Sequence, residues 1–150
     1  MTKMKLLSIL SFLFIILSCN KREENAMKLG GTWELQETVV TNYNNNEAQA
    51  DSLVDQQGEI IFEVTGDLDN PVRHNLDYGP CLQMCYWDFP KKSTDQLFFY
   101  YHDGNTSTIY SSSCGVQRLS KNHLEIISVN YDNDLNIHQK TIWKFRRSKL

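Results

Sequence analysis

Four cysteines stand out as the residues of this 150-residue chain best suited to chemistry: Cys19 behind an apolar run, and Cys81, Cys85 and Cys114 further along. Thiols can bridge, ligate soft metals or attack as nucleophiles, and spacing restricts the choice. If residues 81–85 are extended, their ends lie roughly 13 Å apart, too far for a disulfide. Cys114 is then the expected partner of one of them, Cys85 by preference and Cys81 as the alternative. A helical turn over 81–85 would instead allow the local pair. Either way the arithmetic leaves an unpaired thiol. The histidines, His74, His102, His123 and His138, fall in turns or on polar strand faces and share no ligand spacing with the cysteines. No metal and no cofactor is expected.

The remaining candidates have plainer explanations. Ser111-Ser112-Ser113-Cys114-Gly115 contains nucleophiles but lacks the strand–turn–helix elbow that would activate one. Asp132-x-Asp134-x-Asn136 opens like a calcium loop, yet Ile137 replaces the required glycine and no bidentate glutamate follows. Turn preference accounts for it better. Asn105-Thr106-Ser107 is a glycosylation sequon by pattern only. No base and orienting group can be named around any nucleophile, so an enzyme is not expected. The net charge of −3 and the absence of a basic block exclude a nucleic-acid footprint. The aromatic run Phe98, Phe99, Tyr100, Tyr101 must point to both faces of a strand. Some of these rings then fill a core, and the others meet a ligand or partner.

The elements that would position these residues are strands. Gly30–Val39 alternates with a period of two, placing Trp33, Leu35 and Val39 on one face. Residues 41–57 are polar and read as a loop with a short helix over Glu47–Val54. Gly58–Val64 is a strand, Gly66–Pro80 is turn chemistry, and Cys81–Phe89 is a strand closed by Pro90. Leu97–Tyr101 and Thr106–Tyr110 flank Asp103-Gly104, a type I′ hairpin signal that would pair Phe98 with Ile109 and Leu97 with Tyr110. Val116–Leu119, Leu124–Val129 and Asn136–Arg147 continue the meander. No long helical period exists to cover such a sheet, so closure into a barrel is the economical way to remove its edges.

The N-terminus carries an address. Lys3 and Lys5 precede an apolar run, Leu6–Leu17, too short to span a bilayer but suited to an export signal. Ile16-Leu17-Ser18-Cys19 resembles the bacterial lipobox, which implies cleavage after Ser18 and diacylation of Cys19. The organisation expected is a signal peptide at 1–18, a lipidated tether at 19–29 and a domain at 30–150. Two acyl chains suffice for stable anchoring. Lys21 followed by Glu23 and Glu24 resembles the surface-export signal of some Gram-negative lipoproteins, an ordinary solvated linker being the alternative. The outer membrane is the expected location, its face left open.

Gly31-Thr32-Trp33 at the first strand resembles the Gly-x-Trp start of lipocalins and of short bacterial lipocalin-like domains. The ending Lys140–Arg147, with Trp143 and Phe145 in phase, is similar to theirs. The resemblance implies an all-β, antiparallel up-and-down barrel of about eight strands. It also implies a closed end where Trp33 packs beneath a basic residue, Arg147 first and Arg146 second. As function it implies a membrane-anchored module binding a small apolar or amphipathic ligand. The alternative is an envelope interaction or inhibitor protein whose lumen is filled and whose surface does the work.

Overall fold

The computed structural model describes residues 21–66, 70–90, 95–102, 109–131 and 136–149. A helix, α1, covers residues 21–29. Ten strands follow: β1 (Gly31–Asn44), β2 (Glu47–Ala48), β3 (Ser52–Leu53), β4 (Glu59–Phe62), β5 (Asn70–His74), β6 (Met84–Asp88), β7 (Gln96–His102), β8 (Ile109–Leu119), β9 (His123–Tyr131) and β10 (Ile137–Arg147). From β4 to β10 each strand pairs antiparallel with the next, and β4 also pairs with β1. β10 returns to β1 in a register running from Trp33↔Arg147 to Asn42↔Gln139. The result is a closed, up-and-down, eight-stranded barrel with no free edge between its first and last strands. The two-residue strands β2 and β3 lie along the upper part of β1, beyond its pairing with β4.

The side-chain alternation explains the closure. Leu124 and Ile126 of β9, and Trp143 and Phe145 of β10, are buried, while Glu125, Ile142, Lys144 and Arg146 between them are half-buried or exposed. β1 breaks its period once. A bulge between Leu35 and Glu37 shifts its phase, so Trp33 and Leu35 point inward below it and Thr38 and Val40 line the interior above it. Val39 therefore does not share the face of Trp33 and Leu35, as simple alternation predicts.

The lower end of the barrel is sealed. Trp33 is fully buried, and its indole N–H donates to Leu29 O at 2.7 Å. The Arg147 guanidinium carbon sits 4.2 Å from the Trp33 ring centroid, within cation–π range. The same group donates to Gly30 O at 2.7 Å, to Lys121 O at 2.8 Å and to Lys28 O. Burial lowers its pKa below the ordinary guanidinium value. One side chain thus ties together α1, the entry to β1, the β8–β9 turn and β10. Gly31 makes room for it: its φ is +118°, and a Cβ there would stand 2.6 Å from Arg147 Nη1.

Several expectations are corrected. No helix forms over Glu47–Val54, where the polar segment makes β2 and β3 instead. The helix lies in the segment read as a tether. Arg22, Ala26 and Leu29 share one face of α1, and that face packs on the barrel: Arg22 forks onto Asp88 at 2.6 and 2.5 Å, and Leu29 is fully buried. Two apolar positions are too few to announce a period, yet they close the barrel floor. Asn70-Pro71, read as a turn, opens β5. Pro71 is accommodated at the start of the strand: its carbonyl accepts from Glu63 N–H at 2.9 Å, and the Glu63 carbonyl takes its donor from the Trp87 indole at 3.1 Å, so no N–H is needed from Pro71. The β7–β8 pair forms, but with Leu97 opposite Cys114 and Phe98 opposite Ser113. Burial of Leu97 and Cys114 on one inward face sets this register, displacing the one a two-residue Asp103-Gly104 loop would impose. The tip, residues 103–108, lies outside the described residues, as do Cys19 and the whole export signal.

Candidate functional site

The interior changes character along the barrel axis. Going up β9, the inward residues run Leu124, Ile126, Ser128, Asn130; down β10 they run Gln139, Thr141, Trp143, Phe145. The lower half is packed by Phe62, Trp87, Phe89 and Phe99, with Phe62 and Trp87 edge-to-face at 5.6 Å between centroids and Trp87 and Phe89 at 5.9 Å. The upper half replaces these rings with Thr38, Val40, Ser112, Ser128 and Thr141, which are too small to meet across the lumen. A cavity of about 660 Å³ remains at the open end.

A loop shapes this cavity. Residues 75–83, between β5 and β6, fold in toward the core, burying Leu76 and Pro80. Tyr78 is gripped through its backbone. Gln56 donates to Tyr78 O at 3.1 Å and accepts from Tyr78 N–H at 3.1 Å, and the Trp143 indole donates to the same carbonyl at 2.7 Å. His74 holds the two ends. Its Nδ1 accepts from Leu76 N–H at 3.2 Å, which leaves the proton on Nε2 to donate to Cys81 O at 2.9 Å. Gly79 lies against the imidazole, where a Cβ would come within 2.4 Å of the ring. His74 is therefore a structural residue and not a solvated one. His123 and His138 are exposed.

The three cysteines of the domain converge here as free thiols. Cys81 and Cys85 line the cavity, and Cys114 is buried beside them with its thiol 3.7 Å from Pro80 O. The premise for separating Cys81 from Cys85 fails, because residues 81–83 form a bend and β6 begins only at Met84. The two thiols influence each other's titration, which raises the pKa of Cys81 and lowers that of Cys85. Burial pushes Cys114 up to about 12.

Alternation divides the aromatic run. Phe99 is buried in the core, Tyr101 lines the cavity, and Phe98 is exposed on the wall. Tyr100 stacks on Tyr86 of the neighbouring strand, 5.7 Å between centroids. Tyr78 and Leu82, which line the cavity, are exposed to solvent, as are Leu53, Met84 and Tyr131. No described residue lining the cavity carries a formal charge. Among the described residues no group of His, Cys, Asp or Glu is placed to hold a metal ion. Residues 132–135 and 105–107, the calcium-loop and sequon patterns, lie outside the described residues. The resemblance implied a ligand-holding lumen; what sequence reasoning missed is its lining, for which the signal was small or neutral polar residues at inward positions toward one end of the strands, Ser112 on β8, Ser128 and Asn130 on β9, Gln139 and Thr141 on β10. No protein-family model matches this chain, and no curated protein or solved structure does either.

Proposed function

We propose that this protein is a membrane-tethered binding module whose barrel takes one small, uncharged, amphipathic molecule through its open end. The observation that carries the reading is the cavity: about 660 Å³, bounded by Phe99, Tyr101 and Trp143 on one hand and by neutral hydroxyl and amide groups on the other. That size suits a ligand of drug-like mass, and pockets of this kind commonly combine apolar walls with a few orienting polar groups. A charged group desolvated there would have no counter-charge among the described lining residues, a cost of several kcal/mol. The alternative, a barrel acting by its surface alone, is suited to a filled lumen, and here only the lower half is filled.

The lipobox-like Cys19 supplies the tether in this proposal, and the barrel is of the lipocalin-like kind. Because residues 21–29 of α1 pack on the sealed end and Cys19 lies two residues before them in the sequence, diacylation of Cys19 would set that end against the bilayer and turn the mouth away from it. Outer-membrane anchoring is part of the same proposal. Native mass spectrometry of the protein purified from its own cells tests the binding reading: a stoichiometric small-molecule adduct is expected, and a clean apo mass with a bound protein partner would overturn it. Metabolic labelling with a fatty acid should mark the wild type and not Cys19→Ala.

A further inference from the structure

We propose that Cys81 and Cys85 form a dithiol–disulfide site in the cavity wall, closed by exchange with a small uncharged disulfide, while Cys114 remains a thiol. The case rests on placement. Both cysteines line the cavity, so a reagent small enough to enter comes up against them. The bend at 81–83 turns the chain back before β6, so that two cysteines four residues apart face the same cavity. Cys114 is placed differently: it is buried, is not among the cavity-lining residues, and directs its thiol at Pro80 O. An exported thiol pair meets an oxidising compartment, and such a pair bridges far more readily than it persists reduced.

The balance of the exchange is the same whichever of the two thiols attacks first. The Cys85 thiolate attacks one sulfur of the incoming disulfide, forming a mixed disulfide and expelling one thiolate, which takes up the proton that Cys85 lost. Cys81, losing its own proton, then attacks Cys85 Sγ and displaces the second thiol. Two protein thiols are oxidised by two electrons, and one reagent disulfide is reduced to two thiols. The bridge would fasten the end of the 75–83 loop to β6, and the loop's Tyr78 carbonyl is what Trp143 holds across the cavity.

The reduced, folded protein is incubated with 2-hydroxyethyl disulfide, whose lack of charge suits the lining, then quenched with an alkylating agent. Cyanogen bromide cuts after Met84, between Cys81 and Cys85, and trypsin cuts at Lys91 or Lys92, between Cys85 and Cys114. The expected product is a pair of peptides joined through Cys81 and Cys85, with Cys114 alkylated only after unfolding. Cys114→Ser should form the same bridge at the same rate within about twofold. A link from Cys114 to either partner, a stable mixed disulfide at Cys81 or Cys85, or all thiols recovered alkylated would each overturn the proposal. None of these readouts depends on identifying the natural ligand.

Discussion

Arg147 shows how much of the fold can rest on one side chain. It covers the Trp33 ring and serves three backbone carbonyls, groups that would otherwise be left short of a donor at a sealed end. Arg147→Met keeps the length and loses the donors, so it should cost about 2–4 kcal/mol, combining cation–π and hydrogen-bond losses. Urea unfolding measures this, and a change below roughly 0.5 kcal/mol would show that the carbonyls find water instead. Cys114 makes a second prediction at this scale. Its pKa is raised by burial from 9.0 to about 12, so the folded state holds the proton that the unfolded chain gives up first. The stability this contributes is full below about pH 9 and is lost as the pH climbs toward 12. Under reducing conditions Cys114→Ala should flatten that alkaline decline, as read from urea midpoints across the range.

At the scale of elements, the loop at 75–83 behaves as part of the barrel wall and not as a connection. Gly79→Ala tests it, since the added Cβ meets the His74 ring at 2.4 Å and one of them must give way. A loss of about 1–3 kcal/mol is expected from such overpacking, together with weaker retention of any native adduct. An unchanged melting curve would mean that the loop moves aside freely. This loop was not legible in the chain: its Gly and Pro residues announce turns, and nothing local says that Leu76 and Pro80 fold inward. The strands were more legible, because period-two alternation in β1, β9 and β10 reports burial directly. Where it misled, a long-range constraint was responsible. The bulge after Leu35 reverses the phase of Val39, the inward pairing of Leu97 with Cys114 moves the β7–β8 register, and α1 becomes visible only once the floor that it closes exists.

For the whole molecule, the division into a packed half and a hollow half separates stability from function. The lower half holds Trp33, Phe62, Trp87, Phe99 and Phe145, large rings whose burial contributes strongly to the hydrophobic free energy. The upper half contributes little packing across the lumen, so it can be altered at small cost. Val40 makes the test, because it lines the cavity on β1 opposite Thr141 and presents no polar group that substitution would orphan. Val40→Phe extends a ring into open space and should abolish the co-purifying adduct while shifting the unfolding free energy by less than about 1 kcal/mol, as the void absorbs the added volume. Thr141→Lys, placed across from it, should also abolish the adduct by bringing an unpaired charge into a neutral lining. Retention of the adduct by both variants, seen by native mass spectrometry, would move the ligand out of the lumen and onto exposed apolar side chains such as Tyr78 and Leu82.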